Sequence, residues 1–97
     1  MKDADIEWRV SEDFVILWEA WGEDTLIYHS GSGQTHLLNE IAVYVLQFLQ
    51  HGQASCSSLL SGLDENIEGG LNDSIRQHVR ALLDRFERLG LVEVSTR

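Results

Sequence analysis

The feature that most constrains the fold is a change of pattern at residue 39. Up to Leu38 the chain is rich in β-branched and aromatic residues and is interrupted by glycine-containing turns, which is typical of strands. From Asn39 onward, apolar residues recur every three or four positions, which predicts helices. A small sheet needs a helical layer over its apolar face. The order therefore predicts a compact α+β domain with winged-helix-like packing, in which a three-stranded antiparallel sheet precedes three helices.

The strand region is predicted to form an antiparallel meander within residues 14–38. Its strands cover residues 14–21, 25–29 and 34–38, and glycine-containing turns connect them. Residues 6–10 are predicted to add a further edge segment.

The helical region covers residues 39–89. Asn39 is a suitable N-cap for the first helix, and Gly52 stops that helix. A short second helix begins near Ser55, and residues 91–94 close the chain as an extended segment.

The third helix has the clearest apolar stripe in the chain. The stripe consists of Ile75, Val79, Leu82, Leu83, Phe86 and Leu89. Two starts fit the sequence, with either Asn72 as N-cap or Ser74 and Gln77 as a capping box.

Residues 1–97 are expected to form one domain, with a net charge of −9. We expect no binding to nucleic acid or to an anionic membrane, because both require an excess of basic charge. The N-terminal residues lack the apolar segment of a secretory signal peptide, and no apolar run has the length of a membrane span. A cytoplasmic location is therefore expected. Cys56 is the single cysteine, so no internal disulfide is predicted.

No catalytic motif has a persuasive spacing, so neither an enzyme nor a cofactor is predicted. His29 and His36 would face each other in a hairpin centred on Ser32 and Gly33, and a third ligand could complete a metal site. Paired surface histidines are the favoured interpretation, because no neighbouring ligand has the spacing of a metal site.

Residues 14–18 are apolar on both faces of their predicted strand, although a helical layer covers only one face. The second face needs a cover, which residues 6–10, a second subunit or a partner could supply. The sequence leaves open whether this face is covered internally or is an interaction surface.

The third helix carries four arginines: Arg76, Arg80, Arg85 and Arg88. Helical pairs such as Asp84 with Arg88 would make part of this face an ordinary solvated one. Arg76 and Arg80 have no acidic residue four positions before them, so they are the candidates to meet a carboxylate of a partner.

Three segments carry a resemblance to a known family. They are the strand at residues 14–18, the turn and strand at residues 32–39, and the helix end and closing segment at residues 82–93. In these segments the chain resembles the PqqD-like proteins, the small peptide chaperones also called RiPP recognition elements. It looks most similar to the PqqD family members of HPr-kinase-related systems, over about residues 8–93.

The resemblance implies binding without catalysis. Such domains bind the leader segment of a precursor peptide as an added strand on the third strand, against the third helix, and present it to a modifying enzyme. This serves the biosynthesis of coenzyme PQQ or of other ribosomal peptide natural products. Apolar leader side chains would lie beside Val79 and Leu83, and acidic ones would meet Arg76 and Arg80. The predicted peptide-binding residues are Gln34, Thr35, His36, Leu37, Leu38, Ile75, Arg76, Val79, Arg80 and Leu83.

Two other interpretations stay open. In a winged-helix DNA-binding regulator, the third helix would be the recognition helix, but a domain with a charge of −9 would repel the phosphate backbone. In a homodimeric interaction module, two copies would pair through the apolar strand face without a separate ligand.

Overall fold

The computed structural model describes residues 6–11, 14–66 and 72–96, and the structural statements below concern these residues. The elements, in chain order, are β1 (Glu7–Val10), β2 (Ile16–Trp21), β3 (Asp24–His29), β4 (Gln34–Leu38), α1 (Glu40–Gln50), β5 (Ala54–Ser55), α2 (Cys56–Asn66), α3 (Asp73–Arg88) and β6 (Val92–Thr96). The predicted α+β order of a three-stranded meander followed by three helices is confirmed.

The meander is an antiparallel sheet with β3 in the centre and β2 and β4 at its edges. Ile27 of β3 lies opposite Trp18 of β2 on one side and His36 of β4 on the other. Directly opposite residues on neighbouring strands point to the same face, so these three residues share one face of the sheet. Ile27 is fully buried there, so this is the inner face of the sheet.

The turn between β3 and β4 corrects one prediction. His29 pairs with Gln34, so His29 and His36 are not opposite each other. The loop between the paired residues has its centre one position earlier than predicted, which shifts the register. Its backbone is closed by the Gly33 N–H, which donates to the His29 carbonyl oxygen at 2.8 Å, and Gly33 has a φ of +73°.

Residues 6–10 were predicted to add an edge segment, and the structure places them differently. The strand they contain, β1, does not extend the meander but forms the centre of a second antiparallel sheet, between the two-residue β5 and the closing strand β6. Pairing with β1 satisfies the backbone hydrogen-bonding groups of β6, the strand that follows α3. Local sequence patterns do not reveal this pairing. Trp8 is buried in this sheet, and an exposed ion pair of 3.1 Å joins Arg9 to Glu93.

Two asparagines begin helices as the sequence predicts. The Oδ1 atom of Asn39 accepts a hydrogen bond from the Ala42 N–H at 2.9 Å and starts α1 directly after β4. Asn72 accepts from the Ile75 N–H at 2.9 Å and starts α3, so it is the observed N-cap of the two alternatives.

The helices cover the inner face of the meander and build one core. Its largest fully buried side chains are Phe86, Ile27, Leu46, Leu49, Leu59, Leu83, Leu91, Val45 and Val79. Within the described ranges, none of the helices has the length and hydropathy that a membrane crossing requires.

Candidate functional site

The edge strand β4 lies near the C-terminal part of α3. Arg85 of α3 is close enough to His36 of β4 for its charge to lower the pKa of the imidazole. Just beyond α3, a Cβ atom on Gly90 would lie 3.9 Å from the His29 Cε1 atom at the end of β3. We call the space between β4 and the flank of α3 that carries Arg85 the β4–α3 groove.

The five predicted strand residues all belong to β4 and divide between its two faces. Leu38 is buried and His36 is half-buried on the inner face, whereas Thr35 and Leu37 are exposed on the outer face. Gln34, at the turn, is exposed. One side of the β4 backbone pairs with β3, and within the described part of the chain no strand pairs with its other side. That side presents unpaired N–H and C=O groups to a further strand.

The five predicted helix residues do not all face β4. Val79 and Leu83 are buried in the core, Ile75 is half-buried, and Arg76 and Arg80 are exposed. At 3.6 residues per turn, Arg76 and Arg85 point about 180° apart, and Arg80 and Leu83 share the Arg76 side.

The structure therefore brings β4 together with Arg85, a residue that was not among the predicted site residues. Arg85 follows Leu82 by three positions, so the sequence places it beside one margin of the apolar stripe of α3. The sequence does not tell which margin of the stripe faces the sheet. Ile75 and Leu89, both half-buried, lie on the same margin as Leu82.

The two histidines of the hairpin have different environments. His29 is buried, its Nδ1 atom is 3.0 Å from the Ser32 hydroxyl, and the Phe14 ring packs edge-on against it at 4.8 Å. His36 has no hydrogen bond in the described structure, and its Nε2 atom is shielded from solvent without a partner. Desolvation by burial, followed by the charges of Arg85 and His29, lowers the pKa of His36 below 6.5. His29 is thus a satisfied structural residue, whereas His36 has unused bonding capacity.

Metal ligands do not cluster in the described parts of the chain, where no group of three or more His, Cys, Asp and Glu residues is placed to hold an ion. Cys56 is buried at the start of α2, and desolvation raises the pKa of its thiol. A raised pKa keeps the thiol protonated, so Cys56 packs as a small apolar residue.

The outer face of the meander is an exposed apolar surface. Leu17 is 58% exposed, Trp21 61% and Leu37 51%. A shallow depression of about 480 Å³, lined in part by Leu26 and Tyr28, lies on the same face. Residues 6–10 belong to the other sheet, so the internal cover that the sequence left open is not observed.

A second depression lies away from the groove, at the C-terminal end of α1. It has a volume of about 520 Å³ and is lined by Tyr44, Gln47 and Phe48 of α1 and by residues 51–53 after it. Gly62 of α2 packs against Tyr44 beside it, and a Cβ atom at this position would displace the Tyr44 hydroxyl. The contact explains how α1 and α2 approach each other and adds no chemical group to the groove.

Comparison with protein families gives a match to the family described as Coenzyme PQQ synthesis protein D (PqqD), over residues 24–92. The chain belongs to the PqqD family. The matched residues begin at the first residue of β3 and end at the first residue of β6, so the PqqD match includes both β4 and α3. The resemblance to the PqqD family predicted from the sequence is confirmed.

Comparison with solved structures confirms the fold. The chain is similar to the protein in "TbiB1 in Complex with the TbiA(beta) Leader Peptide", with a TM-score of 0.68 and 12% sequence identity. The similarity covers 88% of this chain and 94% of that chain. Comparison with curated proteins gives no match.

Proposed function

We propose that this PqqD family protein is a non-catalytic peptide chaperone. It binds the leader segment of a precursor peptide in the cytoplasm and presents the peptide to a modifying enzyme, in the biosynthesis of coenzyme PQQ or of another ribosomal peptide natural product. Family membership supports this proposal, as does the structural similarity to a protein solved with a leader peptide. The observation that carries it is the unpaired edge of β4 beside α3.

The peptide adds to β4 as a fourth strand of the meander. Main-chain hydrogen bonds along Gln34–Leu38 supply affinity with little demand on sequence, and side chains on alternate positions enter the β4–α3 groove. Ile75 and Leu89 offer half-buried apolar surface on the Arg85 side of α3. Because Val79 and Leu83 are fully covered, their role in this proposal is to hold α3 at its distance from β4.

Backbone methylation of a bound peptide tests strand addition directly. A random peptide library is selected against the full chain, and the tightest peptide is resynthesised with single N-methyl groups at successive positions. In an antiparallel pair, alternate residues of the peptide direct their N–H groups toward β4. We expect N-methylation to abolish binding at every second position and to be tolerated in between.

Two results would contradict the proposal. Selection of no peptide from the library would argue against a peptide-binding function altogether. Equal tolerance of methyl groups at all positions would argue against strand addition while leaving peptide binding intact. A peptide of the same composition in scrambled order is the control.

The modifying enzyme, in this proposal, docks on the outer face of the meander. Residues 10–75 contain no Lys or Arg, and Glu19, Glu23 and Asp24 lie in or beside this sheet. A second copy would bring the same acidic groups against this face, so like charges disfavour self-association. An enzyme surface with an apolar centre and a basic rim matches both features of the face.

Exposed residues of β2 provide the test, because they lie at the edge opposite β4. The double variant L17S/W21S is compared with Q47S on α1, and the probe is a peptide-modifying enzyme taken from the products of the genes that flank the gene for this protein. We expect L17S/W21S to weaken binding of the enzyme and to leave binding of the selected peptide unchanged, and we expect Q47S to change neither. Sedimentation as a dimer that L17S/W21S dissociates would instead assign this face to a second copy of the chain.

A further inference from the structure

His36 lies where it can contact one side chain of a bound peptide. Its ring lies on the helix-facing side of the edge strand, where an added strand would place a directly opposing residue on the same face. The Cβ atoms of such cross-strand pairs are about 4.5–5.5 Å apart. Of all residues of the peptide, the one opposite His36 therefore lies nearest to the imidazole.

The imidazole of His36 is ready to form a new hydrogen bond. Its Nε2 atom is shielded and unpartnered, and in the described structure the side chain makes no hydrogen bond that a rotation would break. A buried polar atom without a partner is unfavourable, so a group that pairs with it is favoured. His29, its neighbour on β3, differs because its Nδ1 atom already interacts with Ser32.

The charge around His36 selects the kind of group. The charges that act on the ring are those of Arg85 on α3 and His29 on β3. Arg85 is exposed and forms no ion pair within the described residues. A group that accepts hydrogen bonds and is negatively charged meets both a donor and a cation there, and a carboxylate has these properties.

We propose that His36 and Arg85 form a subsite for an acidic side chain of the bound peptide, an Asp or Glu at the position opposite His36. The carboxylate accepts a hydrogen bond from the His36 Nε2–H and interacts with the Arg85 guanidinium. This inference rests on the proposed peptide-binding function and names the side chain that the groove selects. In this inference an acidic residue of the peptide contacts Arg85, whereas the sequence analysis expected it to contact Arg76 and Arg80.

Selection from a random peptide library tests the subsite with two matched variants. R85Q and R76Q remove the same charge from opposite sides of one helix. Peptides selected by the wild-type protein should carry Asp or Glu at one fixed position, those selected by R76Q should do so as well, and those selected by R85Q should not. Replacing that acidic residue by its amide should weaken binding to the wild-type protein about tenfold and binding to R85Q by little.

The pKa of His36 provides a readout that a merely structural role would not change. A carboxylate beside an imidazole favours the protonated ring, so the acidic peptide should raise the pKa of His36 and the amide peptide should not. Nuclear magnetic resonance measures this pKa by following the chemical shifts of the imidazole ring as the pH is changed.

Three results would overturn the subsite while leaving peptide binding intact. They are an acidic preference that survives in R85Q, an acidic preference that disappears in R76Q, and a pKa of His36 that the acidic peptide leaves unchanged. Failure of every library peptide to bind would overturn the peptide-binding function itself, and with it this inference.

Discussion

The two edge strands of the meander, β2 and β4, differ in what lies beside them. On the inner face of β4, Leu38 is buried and His36 is half-buried near α3. On the inner face of β2, the burial of the side chains decreases along the strand, from the buried Ile16 to the exposed Ala20. Any free edge offers backbone groups to a partner strand. Only an edge that has another element of the fold beside it can also contact the side chains of that strand and so discriminate between sequences. The position of α3 is thus what distinguishes β4 from β2 as the proposed edge for peptide binding.

The largest expected effect compares one leucine from each edge. Leu38→Ala in β4 removes buried side-chain volume and should lower the free energy of unfolding by about 2–5 kcal/mol. Leu17→Ala in β2 removes an exposed side chain and should change it by less than about 0.5 kcal/mol. Urea denaturation measures both, and equal losses would mean that the two edges are equally covered.

A smaller effect tests how β4 is joined to the helical layer. Asn39→Ala removes the side-chain acceptor that caps α1 directly after β4, and should cost about 1 kcal/mol of stability. Asn39→Asp keeps an acceptor oxygen at the same position and should retain most of that stability. If the alanine and aspartate variants are equally stable, the cap does not contribute as the geometry implies.

The smallest effect is a pH dependence that β4 contributes and β2, which has no histidine, does not. The pKa of His36 is lowered below 6.5 in the folded protein. As the pH falls below 6.5, the unfolded chain therefore binds a proton more readily, and this part of the stability is lost.

Replacement of the imidazole isolates that contribution. His36→Gln should lose less stability than the wild-type protein between neutral pH and mildly acidic pH, measured by urea denaturation at each pH. Thr35→Ala, on the opposite face of the same strand, is the control and should follow the wild-type curve. Parallel curves for His36→Gln and the wild-type protein would contradict the assigned environment of His36.

Local signals in the sequence predicted most of the fold. The meander, the N-cap Asn39 and the closing strand follow from turn residues, capping residues and apolar spacing, and Asn72 is one of the two helix starts that the sequence offered for α3. The pairing of β1 with β5 and β6 was not predicted, because it joins segments that are distant in the chain and depends on their mutual geometry.

The same reason explains why the sequence located only some of the residues that the structure places at the proposed site. The residues of β4 form the predicted edge, since a meander leaves its last strand at one side. The choice of Arg76 and Arg80 rested on the charges next to them in sequence, whereas the approach of Arg85 to His36 depends on the rotation of α3 in the packed structure. Tertiary packing sets that rotation, and no short motif encodes it.

Backbone amide exchange with and without a bound library-selected peptide tests the central claim most directly. Strand addition at β4 predicts slower exchange at alternate amides within Gln34–Leu38, because those N–H groups gain hydrogen bonds, and unchanged exchange along Ile16–Trp21. Slower exchange along Ile16–Trp21, with none at Gln34–Leu38, would place the peptide on the other edge and contradict the account.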